Sequence, residues 1–241
     1  MGFVEDAKAL VEDCESTIET IRNDYDNSLN EKEIKPKLLI QIKNFMENLR
    51  SSLDFTAHFL FDQYGDNSSQ QNIYFPYAWD GLDLIGFRTK NRIEKCIPGI
   101  TVSRPDIVAK IESYQHFADH ANQWLPKFMD LNNENKHQQL TPQTKKEQKQ
   151  LKISSGGTSI SMGEGTSISM GPGTSISLGG MNIPGGQSFD VNKPPITTGS
   201  GKTEVITWVS FHFSTNNEAV LPLLTKSLNG VKKIVDELSN M

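Results

Sequence analysis

Residues 157–180 read GTSISMGE, GTSISMGP, GTSISLGG, three near-identical octads laid end to end. Within each, apolar residues alternate: Ile160 with Met162, Ile168 with Met170, and Ile176 with Leu178. Successive side chains of a strand point to opposite faces, so each pair shares one face and the serines share the other. Glycines at the junctions supply the positive-φ positions of tight turns. Each octad therefore reads as one short strand plus a turn, and the three are expected to stack as a meander or a miniature solenoid. A Gly/Ser tract can also be a flexible low-complexity loop. The strict Ile-x-Met alternation favours ordered strands. Three such strands bury little alone, so their apolar face needs a cover.

On the C-terminal side, residues 204–213 (EVITWVSFHF) are the strongest strand pattern in the chain. Ser214, Thr215, Asn216 and Asn217 make a turn, and residues 220–238 follow as a helix with Leu224, Leu228, Val231 and Val235 as its apolar stripe. This closing strand and helix are expected to fold back over the octads. On the N-terminal side, residues 141–156 read as a linker that opens with the charged stretch TPQTKKEQKQLK.

Most of what precedes it reads as helix. Val4, Ala7, Val11, Cys14, Ile18, Ile21 and Tyr25 recur at three-four spacing, the seam of an amphipathic helix. A second helix begins near Pro36, a residue suited to a first helical position, with the seam Leu39, Ile42, Met46, Leu49, Leu53, Thr56 and Leu60. Two matched helices joined by a short polar loop predict an antiparallel hairpin. NIYFPYAW at residues 72–79 reads as an extended segment laid on the bundle, because Pro76 blocks helix there. Residues 87–97 read as a short basic helix. A further helix starts at Ser103 as N-cap, with Ile107, Ile111, Tyr114 and Ala118 buried, and Pro126 kinks or divides the last helical piece, at about residues 127–140. The fold class is α+β: an antiparallel helical bundle over residues 1–140, the linker, and a β-repeat region over 157–241 with its closing helix.

Bulk properties narrow the function. The chain has 241 residues, a net charge of −5 and a sequence pI of 5.6, so no global positive field draws it to nucleic acid. No stretch approaches the apolar length of a membrane span, and the acidic start MGFVEDAKAL is not a secretory signal. Gly2 follows Met1, but Asp6 stands where a myristoylation motif has Ser or Thr. Cys14 and Cys96 sit inside helical patterns without a nearby partner, which fits buried thiols in a reducing cytoplasm. There is no P-loop, no strand-linked GxGxxG and no GxSxG, so no cofactor is implied. His116 and His120 have helical metal-pair spacing, yet they lack a zinc-peptidase glutamate and cysteine support, and no metal is assigned.

Two polar constellations could carry chemistry. Arg50, Asp54 and His58 stand at i, i+4 and i+8 on the second helix, where Asp54 could pair with Arg50 and orient the imidazole for acid–base work. The same spacing also describes an ordinary surface charge ladder. In LNNENKHQQL, residues 131–140, Asn132 lies over Lys136 and Asn133 over His137, so four polar groups crowd one side. Lys136 would favour the neutral form of His137, and Asn133 could hold an oxygen. A polar helix end before a linker looks the same.

LRSSLDFTAHFL at residues 49–60, then YFPYAW, then FMDLNNENKHQQL resemble, in order and spacing, a group of uncharacterised bacterial proteins with "LRSALD", "FP" and "LNNxDKHR" motifs. The helical part also resembles the HEPN superfamily, four- to five-helix bundles of toxin–antitoxin and antiphage systems. That resemblance implies a metal-independent ribonuclease with an Arg-x4-6-His motif. This chain departs from it: seven residues separate Arg50 from His58, Asn132 stands where an arginine would precede His137, and Gln138 follows the Lys-His pair. Two functions remain. One is a ribonuclease effector whose cleft is lined by Arg50, Asp54, His58, Asn133, Lys136 and His137. The other, which the acidic charge and the departures favour, is a non-enzymatic interaction protein that binds a protein partner or copies of itself.

Overall fold

In the first two helices the apolar residues recur at the helical period, and a helix with one apolar stripe is stable only against another. The computed structural model describes residues 2–31, 35–68, 72–137 and 143–241, with the side chains of 29–31, 135–137 and 206–209 outside the description. Helix α1 (Phe3–Glu31) and helix α2 (Pro36–Tyr64) run antiparallel and pack along their length. Ala7, Val11, Cys14, Ile18, Ile21 and Tyr25 of α1 are buried, as the seam requires. On α2 the buried row runs through Leu38 rather than Leu39, then Ile42, Phe45, Met46, Leu49, Leu53, Thr56, Ala57 and Leu60. The Ser52 hydroxyl donates to the carbonyl of Ala7 across this contact.

Five short helical pieces follow: α3 (Leu84–Thr89), α4 (Arg92–Cys96), α5 (Ile100–Ser103), α6 (Pro105–Ser113) and a 3-10 turn (His120–Gln123). The expected basic helix over 87–97 is thus two helices, divided at Asn91, whose φ of 52° lies outside helical geometry. Ser103 ends α5 instead of capping the next helix, and its hydroxyl donates to the Tyr64 carbonyl. Ile107, Ile111 and Tyr114 are buried, but α6 stops at Ser113, so Tyr114 caps it and Ala118 lies beyond it, exposed. Helix α7 (Trp124–His137) has Pro126 inside its first turn, where a missing N–H costs nothing, and the helix runs on undivided. Residues 138–140 of the expected helix lie outside the described residues.

Two units emerge: Met1–Thr144 with His212–Met241, and Lys145–Phe211. The closing helix α8 (Val220–Leu238) belongs to the first, where it packs on α1, α2 and α7. This corrects the expectation that it covers the octads. Its apolar stripe matches the ridges of the bundle, and Gly230 lets the Trp124 indole seat against its backbone: a Cβ there would lie 2.1 Å from Trp124 Cζ2. Among the described residues no helix is long and apolar enough to cross a membrane.

The second unit is built of strands. Residues 143–155, expected as linker, form strand β1 (Gln143–Ser155). Its stretch TKKEQKQ has no fully buried residue, which hid the strand, and only Leu151, Ile153 and Ser155 are buried. Each octad forms one strand, β2 (Thr158–Gly163), β3 (Ser167–Ser169) and β4 (Ser175–Leu178), followed by β5 (Met181–Pro184), β6 (Ser188–Asp190), β7 (Thr198–Gly199) and β8 (Lys202–Phe213). The octads do not stack on one another as a meander or solenoid. The sheets run β2-β1-β8, β3-β6 and β4-β5-β7, so each octad strand pairs with a strand from outside the repeat. Registers set apolar residues opposite each other: Leu151 with Met162, Ile153 with Ile160, Ile168 with Phe189, Ile176 with Ile183. Met162 joins Leu151, Ile153, Met181, Ile183, Phe189 and Val191 in one core, with Ile168, Met170 and Ile176 packed on it. The octads' apolar alternation is realised, and its cover comes from β1, β5 and β6.

Two hairpins frame this core. Gly156-Gly157 joins β1 to β2 and Gly179-Gly180 joins β4 to β5, all four with positive φ. A two-residue loop with both residues at positive φ is the turn that matches strand twist, and glycine adopts it without strain. The Ser155 hydroxyl donates to the Gly179 carbonyl at 2.7 Å, tying one turn to the other.

Candidate functional site

Arg50 points into the helical unit, not along its surface, with 9% of the residue exposed. Its Nε donates to Asp54 Oδ2 at 3.1 Å, Nη1 contacts Met129 Sδ on α7, and the guanidinium lies 5.7 Å from the Tyr77 ring centroid. The expected i, i+4 pair is therefore present. A buried arginine charge is held by one carboxylate and one aromatic face.

Asp54 has a second task. Its Oδ1 accepts from the Phe75 backbone N–H at 2.9 Å. The segment 72–79 has no strand partner among the described residues, so its backbone groups need side-chain partners. Buried Gln115 supplies two more: Oε1 accepts from the Ala78 N–H at 2.8 Å and Nε2 donates to the Pro76 carbonyl, while Nε2 also donates to the Ile111 carbonyl of α6. Both carboxylate oxygens of Asp54 are committed to the fold. It does not orient His58: the imidazole stacks on Phe3 of α1, ring centroids 5.0 Å apart, with no hydrogen bond to Asp54 among the described residues. The i+4 spacing puts the two residues on one side of the helix, but α1 claims the ring.

The second constellation is also divided. Asn132 is fully buried and its Nδ2 donates to Phe128 Oof the preceding turn. Asn133 faces outward and donates to the Tyr77 hydroxyl at 3.2 Å. Lys136 and His137 end α7, and their side chains lie outside the described residues. The structure thus brings Arg50 and Asn133 to Tyr77, holds Asp54 between Arg50 and the Phe75 N–H, and sets His58 apart. Tyr77 was not singled out from sequence, although the aromatic run NIYFPYAW marked its segment. Gln115 left no signal at all.

Other nucleophiles are quenched. Burial pushes the Cys14 thiol up to about 12, with Asp13 adding to the effect, and Cys96 is likewise raised chiefly by burial. Both are buried and free, and a thiol held protonated is a poor nucleophile. The His116 and His120 pair loses its metal geometry because α6 ends before it. Asp119 instead caps the 3-10 turn by accepting from the Ala121 N–H. No protein-family model, no curated protein and no solved structure matched this chain.

Proposed function

We propose that this chain is a non-enzymatic interaction protein of a bacterial antiphage or toxin–antitoxin system, built on a HEPN-like bundle and working in the cytoplasm. It engages a protein partner or further copies of itself through its octad strands. One observation carries the reading: β2, β3 and β4 each stand at the edge of their sheet. An edge strand presents unpaired N–H and C=O groups that can take up another chain's strand. The octads add exposed hydroxyls at Thr158, Ser159, Ser161, Ser167, Ser169, Ser175 and Ser177, repeated on the same pattern. The commitment of Arg50 and Asp54 to the fold supports it further, as do the two buried free thiols for a reducing compartment.

The test is sedimentation equilibrium on the full chain beside a variant carrying Ser159→Lys, Ser167→Lys and Ser175→Lys, since edge lysines oppose strand pairing. The wild type should associate with rising concentration, and the variant should stay monomeric with an unchanged circular dichroism spectrum. A wild type that remains monomeric and cleaves RNA sinks the proposal.

The second reading is a metal-independent HEPN-type ribonuclease. What favours it is the meeting of Arg50 and Asn133 at Tyr77, one helical turn from His137. In that reading His137 or His58 takes the proton of a ribose 2′-hydroxyl while Arg50 and Lys136 stabilise the phosphorane charge. His137→Ala would then abolish RNA cleavage without altering the unfolding transition.

A further inference from the structure

A groove of about 310 Å³ opens between α3–α4 and α5–α6 and shares no lining residue with the Arg50 cluster. Its apolar wall is Phe87, Ile93, Pro105, Val108 and Ala109; its charged groups are Arg88, Arg92 and Glu112, and Asn91 and Thr101 add neutral polar ones. Pockets that bind small molecules have this make-up, mainly apolar with a few converging polar groups, and this one stands at the small end of their size range.

The charges in it are not equivalent. Arg88 grips Glu112 through two parallel bonds, Nε to Oε1 at 2.7 Å and Nη2 to Oε2 at 2.6 Å, so that pair is neutral as a unit and rigid. Arg92 has no carboxylate among the described residues. Its guanidinium lies 5.5 Å from the Trp79 ring centroid, and its buried Nε–H has no acceptor among the described residues. The nearby carboxylate of Glu94 is spent on the N–H groups of Gly99 and Thr101 and on the Thr101 hydroxyl. A buried donor on an uncompensated cation costs free energy unless an acceptor reaches it, and an anion satisfies both needs. We infer that this groove binds a small ligand with an oxyanion head, phosphate ester or carboxylate, on an apolar body, with Arg92 taking the head and Phe87, Ile93 and Val108 the body. This site is independent of the interaction reading above.

The experiment is a two-dimensional NMR titration of the full chain with phenyl phosphate and, separately, phenylacetate, with 2-phenylethanol as the neutral probe. Saturable millimolar binding of one anion or both, seen at the Arg92 Nε–H, the Trp79 indole and the Val108 amide, is expected, and the stronger arm identifies the head group. Arg92→Gln should weaken it at least about tenfold, which is about 1.4 kcal/mol. Val108→Phe, which fills the groove and leaves Arg92 in place, should abolish it; this second variant guards against misfolding of the first. Equal binding of the alcohol, unaltered binding in both variants, or no saturable shift with either anion would overturn the assignment.

Discussion

The helical unit and the strand unit solve the same problem, where buried backbone groups find partners, in opposite ways. Helices α1, α2, α7 and α8 satisfy their own backbones, so the demand falls on the irregular connection at residues 72–79. Side chains meet it there: Asp54 for Phe75, Gln115 for Ala78 and Pro76. In Lys145–Phe211 the strands satisfy one another, and the demand falls on the turns, which glycine pairs meet by backbone conformation. Polar side chains are therefore structural in the first unit, and glycines in the second. A polar cluster inside a helical bundle is not by itself evidence of catalysis.

The two solutions can be broken separately. The largest effect is expected from Asp54→Ala, which leaves Arg50 without its carboxylate and the Phe75 N–H without an acceptor. Asp54 keeps some solvent contact, so a loss near the low end for a broken buried pair, about 3 kcal/mol, is expected in urea unfolding. Next comes Gly179→Ala in the strand unit. A Cβ there would stand 2.3 Å from the Ser155 carbonyl oxygen at a positive φ, and about 2 kcal/mol should be lost. Gly157→Ala is its control: φ is also positive but nothing lies within 4 Å of the added carbon, so about 1 kcal/mol is expected. Hydrogen exchange should place both losses in β1–β5 and leave α1 and α2 protected.

The smallest effect is pH-dependent. Burial pushes the Glu94 carboxyl up, but the bonds from Thr101 and the Gly99 N–H outweigh it, and its pKa ends below the usual carboxylate value. Its contribution is thus complete above the unfolded-state pKa and fades as pH falls through the lowered folded value. Glu94→Gln should lose that part of the acid dependence in thermal melts taken across the acid range, while Gly179→Ala should keep it.

The same contrast explains what the residues disclosed. Apolar residues at a fixed period identify an element and its inward face, so the seams of α1 and α2, the octad strands and α8 were legible. A period names no partner. The stripe of α8 says only that it is covered, and it lies on the bundle; the octads alternate correctly but pair with β1, β5 and β6. β1 was missed because TKKEQKQ has no inward face to show. At the candidate site, local spacing foretold Arg50 with Asp54. Contacts from distant segments, Phe75 on Asp54 and Phe3 on His58, decided their roles instead.

The most direct test of a structural role for the Arg50 cluster is a double-mutant cycle in urea unfolding, with Arg50→Ala, Asp54→Ala and the pair together. Coupling of about 2 kcal/mol or more, with both single variants clearly destabilised, is the result this structure predicts. Single variants that unfold like the wild type, with coupling near zero, would mark the pair as an exposed ladder and return it to the candidates for catalysis.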